Sequence, residues 1–361
     1  MDTHADKLPI IDCDIHNVVP SINTLIPYLP EHWQEYVTQS DLKGPGSSLY
    51  SPKALTEPWP ETKPESGNPP GSDLDLLRAQ ALDSLGSSYA ILNCAYAVES
   101  VHNPYGAAAF ASAVNDWQRA EWLEKEPRLR ASLVVPSQEP ELAAQEIDRM
   151  GDYPGFVQIF LPVRSIALYG TRRYYPIYRA AVRHNLVVGI HFGGAPGAPP
   201  SASGWPSYYI EEYAGMSHIF QSQLINLIVE GIFEEFPDLK IALIASGVTW
   251  LPALMWRLDK EWKGLRREVP WVKRLPSDYI RQHIRLTVQP IDAPPNPKHL
   301  LQIIDQLESD ELLMFSTDYP YSRFETVDEA LPVALPAEIK RKILAENAGK
   351  FYGLEVAKYR P

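Results

Sequence analysis

"IIDCDIHNVVP", residues 10–20, is a short apolar run that carries Asp12, Asp14 and His16 at every second position. Side chains alternate faces along a strand. Ile11, Cys13 and Ile15 are therefore expected on a buried face, with the three ionisable groups on the other. Three ionisable groups on one strand face are costly unless something pairs with them, and a metal ion is one such partner.

Seven further β-like runs follow this first strand, at 88–94, 131–136, 155–162, 186–192, 239–246, 284–290 and 311–318. Helical patterns lie between most of them, at 73–86, 103–127, 140–150, 172–185, 210–237, 250–262 and 296–308, and a last one closes the chain at 336–353. Eight strands alternating with helices predict an α/β fold, a single (β/α)8 TIM barrel. One barrel domain accounts for all of residues 1–361. One stretch does not fit the alternation. Residues 43–73 are rich in Pro, Gly and Ser, so the barrel is expected to be distorted by a long insertion after strand one. The loop after a barrel strand lies on the catalytic face, so the insertion reads as a surface loop or as a lid over the mouth.

Composition narrows the partners. The formal charge is −12 and no Lys/Arg cluster exceeds three residues, which speaks against a nucleic-acid partner. No run approaches the roughly 20 apolar residues that span a bilayer, and the N-terminal "MDTHADKLP" has no apolar signal core. A cytoplasmic protein acting on a small molecule is expected, as a homodimer and without a membrane partner. Two cysteines, Cys13 and Cys94, both in apolar runs, read as buried thiols rather than a disulfide framework.

Barrel chemistry sits at the C-terminal ends of the strands. The polar residues there are Asp12, Asp14 and His16 on strand one, Asn93 on strand two, Gln158 on strand four and His191 on strand five. Ser246 and Gly247 follow on strand six, Gln289 and Asp292 on and after strand seven, and Asp318 on strand eight. Carboxylates and imidazoles from strands one, five and eight can converge above the mouth, a set that suits zinc, or manganese or iron where oxygen ligands dominate. Asp318 in "FSTDYP" is a charged strand end before a proline turn, and His191 in "GIHFGG" interrupts an apolar strand; both are candidate catalytic residues. Asp12 reads as a supporting carboxylate. Tyr208, Tyr209, Trp205 and Trp250 offer an aromatic wall, and Tyr208, Trp250, Gln289 and Asp292 are the candidate substrate-binding residues. Glu211, Glu212 and His218 lie near the start of the helix after strand five, where acids commonly answer the helix dipole.

These residues carry a resemblance. "IIDCDIH" (10–16), "GIHFGG" (189–194), "GIFEEFPDLKIALIASGVTWLPALMWRLD" (231–259), "LTVQPID" (286–292), "MFSTDYP" (314–320) and "ILAENAGKFYGL" (343–354) resemble the amidohydrolase-related family, in the branch of aminocarboxymuconate-semialdehyde decarboxylase. The resemblance covers nearly the whole chain. It implies one divalent metal, with ligands falling on Asp14, His16, His191 and Asp318. Three departures stand out: Asp14 where the best-known members carry a histidine, Ala245 where the family often has a histidine after strand six, and Tyr321 where many relatives have histidine after "TDYP".

The leading expectation is thus a metal-dependent hydrolase acting on a small aromatic substrate, with zinc ahead of manganese. A divalent ion lowers the pKa of bound water toward 7, and Asp318 is placed to accept its proton. The alternatives are a metal-dependent non-oxidative decarboxylase of an aromatic or unsaturated acid, which must protonate carbon without a strand-six histidine, and a metal-free barrel working through acid–base residues alone.

Overall fold

The computed structural model describes residues 8–45, 58–194, 204–322, 324–332 and 334–356. Eight strands run in sequence order around one parallel sheet: β1 (Ile11–Ile15), β2 (Tyr89–Leu92), β3 (Leu129–Val134), β4 (Phe156–Pro162), β5 (Val187–His191), β6 (Ile241–Ile244), β7 (Ile284–Thr287) and β8 (Leu313–Met314). All are apolar-rich and nearly all their residues are buried, as expected when helices cover a parallel sheet from outside. The ring closes where the chain after β8 meets β1: Cys13 N–H donates to the Phe315 carbonyl at 2.9 Å, Asp318 N–H to the Asp14 carbonyl at 2.9 Å, and His16 N–H to the Tyr319 carbonyl at 2.8 Å. The fold is the expected (β/α)8 barrel.

The helices are α1 (Glu31–Ser40), α2 (Leu74–Leu77), α3 (Pro104–Gln118), α4 (Pro140–Met150), α5 (Tyr175–Arg183), α6 (Tyr209–Val229), α7 (Ile232–Glu235), α8 (Leu251–Leu265), α9 (Pro276–His283), α10 (Pro297–Asp305), α11 (Val327–Ala330), α12 (Ala337–Arg341) and α13 (Asn347–Tyr352). Their starts are written in the sequence. Asp73, Asn103 and Asn296 each cap a first turn by accepting backbone N–H bonds, and proline at the first helical position of α3 and α10 presets the backbone. Three helices escape a reading by apolar period, among them the single-turn α11, which buries only Ala330. α1 buries only Val37, and the buried face of α9 includes Ser277 and His283, so neither shows a clean apolar stripe.

Two apolar layers fill the molecule. The larger packs the outer strand faces against the helices. The smaller joins Ile11, Cys13, Ile91, Val187, Ala242, Ile244 and Met314 with Ala345, Ala348, Phe351 and Tyr352. Residues from strands all around the ring can meet only inside the barrel, so α13 and the turn before it plug that interior. β1 departs from the strict alternation expected for it. Ile11 and Cys13 belong to the interior layer and Ile15 to the outer one, because the register against β2 shifts between Asp12 and Ile15. Asp12 consequently leaves the other two ionisable groups. It turns to β8, accepting from the Thr317 backbone N–H at 3.0 Å and from the Thr317 hydroxyl at 2.6 Å.

The part of the 43–73 insertion within the described residues is seated on these strand ends. Val18 N–H donates to the Gly71 carbonyl at 2.9 Å and Trp59 N–H to the Pro320 carbonyl at 3.2 Å. Gly71 has φ +80°, and a Cβ there would lie 2.8 Å from the His16 carbonyl oxygen, so only glycine lets the insertion pass this close.

Candidate metal centre

Asp14 is fully buried at the end of β1, where β2, β5 and the chain after β8 surround it. Its Oδ1 accepts from the Asn93 side-chain amide at 2.9 Å. The Nε2 atoms of His191 and His16 stand 3.2 and 3.5 Å from the same oxygen. Oδ2 is buried without any hydrogen-bond partner. The Asp318 Oδ1 lies 3.1 Å from His16 Nε2.

Both imidazoles are oriented by their other nitrogen. His16 Nδ1 is 2.8 Å from the Asn93 backbone carbonyl, and His191 Nδ1 is 2.8 Å from the Phe192 backbone carbonyl. A carbonyl oxygen can only accept, so each Nδ1 carries the hydrogen and each Nε2 of a neutral ring presents a lone pair. With both rings neutral, two lone pairs and an anionic oxygen would face one another at 3.2–3.5 Å and repel, so the group calls for shared positive charge, from a proton or from a metal ion. Asp14, His16 and His191 form one compact group, each offering an atom within 4.8 Å of the others. Carbonyl-anchored imidazoles whose Nε2 atoms converge on carboxylate oxygens, beside an Asp14 oxygen that lacks a partner, fit a divalent metal. Asp318 stands one step out from that group.

The charges respond to one another. Burial alone would raise the Asp14 pKa, but the two imidazoles and the Asn93 amide outweigh it and the net shift is downward. Burial alone would lower His16, yet Asp14 and Asp318 hold its pKa up at about 9. Asp318 is shifted upward, chiefly by burial and secondarily by the Asp14 charge, against the hydrogen bond from His16. Its protonated form is the more accessible for that. Burial, helped by Asp318, pushes the Tyr321 phenol up to about 12, so it stays a neutral donor.

Above the cluster opens a cavity of about 330 Å³. His16, His191 and Asp318 form its floor, and Phe192, Tyr209, Tyr213 and Tyr321 supply aromatic walls. The Tyr321 ring meets His16 edge-on at 5.3 Å, and Phe192 meets Tyr213 at 5.2 Å. Among the described residues, no lysine or arginine lines it. Ala245 (φ +55°), Asp292 (φ +48°) and Asp318 (φ +61°), all in the left-handed region, border the same cavity. Backbone strain of this kind collects at functional sites.

The substrate-binding expectations divide. Asp292 lines the cavity. Tyr208 does not; it is 71% exposed beside the start of α6. Trp250 turns its indole N–H to the Ser246 carbonyl at 2.8 Å, and Gln289 is buried with its amide on the Ala330 carbonyl. Among the helix-start residues, Glu211 accepts from the Ser207 and Tyr208 backbone N–H groups, Glu212 pairs with Arg164 at 3.0 Å, and His218 is exposed. Sequence reading missed Tyr213, Met216 and Ser217 as cavity residues. With Tyr209 they recur on one face of α6 at helical spacing, the signal that could have found them.

Comparison with known proteins completes the picture. The amidohydrolase family model matches residues 11–354. The chain is 26% identical over 329 residues to a gamma-resorcylate decarboxylase of Rhodococcus jostii, covering 82% of this chain and 96% of that one. It is 28% identical over 297 residues to another from Rhizobium sp., covering 79% and 89%. Among solved structures, a 5-carboxyvanillate decarboxylase of Novosphingobium aromaticivorans with bound manganese superposes with TM-score 0.72 at 21% identity, covering 98% of this chain and 99% of that one. A dihydroxybenzoic acid decarboxylase of Polaromonas sp. with manganese and 2-nitroresorcinol gives 0.68 at 22%, covering 97% and 98%. At such identities the structural likeness speaks for the fold. The relatives named here are decarboxylases, so hydrolysis loses its leading place, and zinc loses its place ahead of manganese. No helix among the described residues is long and apolar enough to cross a membrane.

Proposed function

The chain belongs to the amidohydrolase family, and from that premise we propose that it is a metal-dependent decarboxylase of a small aromatic acid. The observation that carries the reading is the buried Asp14–His16–His191 group, with its unpartnered Asp14 Oδ2, at the floor of an aromatic-walled cavity. Asp14, His16 and His191 would hold one divalent ion, with Asp318 as a further ligand. Manganese is favoured over zinc, because carboxylates supply half of the donor set and because relatives of the same fold hold manganese. The ion would supply positive charge for a carboxylate and a neighbouring oxygen of the substrate.

The protein's own groups do the rest. Phe192, Tyr209, Tyr213 and Tyr321 hold a flat ring and exclude water. Asp318, protonated when it is not bound to the ion, would give its proton to the ring carbon that bears the carboxylate. A C–H bond forms there. The C–C bond then breaks, its electron pair restores the aromatic ring, and carbon dioxide leaves. The Asp318 carboxylate, steadied by His16 at 3.1 Å, regains a proton from solvent. Ala245 offers no proton-moving side chain on this wall, so protonation of carbon falls to Asp318.

The test uses protein stripped by chelator and reloaded with manganese or zinc, incubated with 2,6-dihydroxybenzoate, 5-carboxyvanillate and a simple aryl ester. Metal-dependent release of carbon dioxide from an aromatic acid is expected. Ester hydrolysis by loaded protein, with no carbon dioxide from either acid, would return the function to hydrolysis.

A further inference from the structure

Asn93, read in the sequence only as a polar strand end, touches two of the three clustered residues at once. Its backbone carbonyl fixes His16 through Nδ1, and its side-chain Nδ2 donates to Asp14 Oδ1. What holds Asn93 lies deeper in the barrel. Its Oδ1 accepts from the Ser132 hydroxyl at 2.6 Å and from Gln158 Nε2 at 3.0 Å. Gln158 Nε2 also donates to Ser132 Oγ at 2.8 Å. Gln158 Oε1 in turn accepts from the Tyr352 hydroxyl at 2.7 Å. Tyr352 sits at the end of α13, in the plug of the barrel interior.

The direction of every bond in this chain follows from its first member. An ionised Asp14 can only accept, so Asn93 must present its NH2 there and its oxygen away. That oxygen needs donors, which orients Ser132 and the NH2 of Gln158. The oxygen of Gln158 then faces the plug and needs a donor, which the tyrosine hydroxyl supplies. Asn93, Ser132 and Gln158 are completely buried and Tyr352 is 6% exposed, so no water competes. Gln158 also has a space kept for it: a Cβ on Gly189 would lie 2.4 Å from its Cδ. Aligned in this way, the donors reinforce one another and hold Oδ1, leaving Oδ2 as the oxygen without a partner.

We infer that Tyr352, Gln158, Ser132 and Asn93 form a positioning relay that runs from the helix plugging the barrel interior to Asp14 and sets this carboxylate for metal binding. None of the four needs to touch the metal or the substrate. The inference rests on the proposed reading of Asp14 as a metal ligand. It makes metal affinity depend on a hydroxyl carried by α13.

Manganese titration of the metal-stripped full-length protein tests it, with Gln158→Met, which keeps bulk and removes both polar groups, and Tyr352→Phe, which removes one hydroxyl. Outer hydrogen bonds of this type are worth about 10–100-fold in metal affinity. Gln158→Met should weaken manganese binding by about that factor, and Tyr352→Phe by about 3–10-fold. Unfolding of the metal-free variants is measured beside it. A purely structural role would lower their stability while the dissociation constant stayed at the parent value, and that result overturns the relay. Should Gln158→Met fail to fold, Tyr352→Phe decides alone, by the same criterion. Parent protein that takes up no manganese overturns the metal reading and the relay with it, whereas parent and variants binding equally tightly overturn the relay alone.

Discussion

Glu126 and Asp14 are both buried carboxylates in this barrel, and their surroundings are finished differently. Glu126 Oε1 accepts from the Arg128 Nε at 2.9 Å and backbone N–H at 3.2 Å; Oε2 accepts from Arg128 Nη2 at 3.0 Å and Arg78 Nε at 2.8 Å. Arg128 first and Arg78 second hold its pKa down at about 2. Asp14 has one amide and two imidazole Nε2 atoms near a single oxygen, and a second oxygen facing nothing. A carboxylate closed on all sides holds the fold together and has nothing left to offer. One left open at a buried site carries a cost that a ligand can remove. The open cluster also has strained neighbours: Asp318, which bonds His16, and Ala245 and Asp292 on the cavity wall have positive φ.

Four changes break or sharpen this contrast. Asp14→Asn should have the largest effect. It keeps shape but removes charge, so manganese affinity should fall by more than about 100-fold, beyond what a lost supporting contact costs. The metal-free variant should unfold at a somewhat lower denaturant concentration, since the imidazoles and the Asn93 amide already favour the ionised carboxylate. Manganese affinity near the parent value in this variant would mean that Asp14 is not a ligand.

Asp318→Asn comes next. It leaves the fold intact and should lower turnover by about 10²-fold or more, the scale of a lost proton-transfer group. Turnover near the parent rate in folded, metal-loaded protein would move that role to another residue.

Glu126→Gln works on the closed cluster. The folded pKa of about 2 lies below the ordinary glutamate value of 4.5, so the ionised form contributes stability above about pH 4.5 that is lost as pH falls through about 2. Discounting for the part-exposed arginines, the substitution should cost about 2 kcal/mol at pH 7. It should also flatten the acid limb of stability in urea titrations between pH 5 and 2. Catalysis should not change.

The smallest effect belongs to Glu211→Ala. Glu211 accepts two backbone N–H bonds at the start of α6, so the cost should be about 1 kcal/mol of stability. A fall in turnover rivalling that of Asp318→Asn would assign Glu211 to the chemistry instead.

Much of this contrast was legible before any coordinates. Apolar runs alternating with helical patterns located all eight strands, because a barrel buried on both faces leaves little room for other residue types. Asp14, His16, His191 and Asp318 stood out because charge at the end of an apolar strand is expensive. The shift in β1 was not legible, since it is set by the partner strand and not by the local pattern; it sends Asp12 to Thr317 and Cys13 to the interior. Trp250 and Gln289 misled for a related reason. Both are polar or aromatic near strand ends, yet backbone carbonyls claim them. Arg128 stands two residues from Glu126, but nothing local showed that Arg78, 48 residues away in sequence, completes its second oxygen.

The closure of the ring has a consequence for how the molecule comes into being. His16 and Asp318, which meet at 3.1 Å, are separated by 302 positions. At ribosomal rates of roughly 5–20 residues per second, that interval lasts roughly 15–60 s. For that time the first strand waits with its acids and imidazole made and its neighbour on one side not yet synthesised. The hydroxyl of Tyr352 comes later still. A nascent chain thus carries part of the proposed donor set long before it can hold it in place, so the proposed ion would be taken up by a finished protein and not by a growing one.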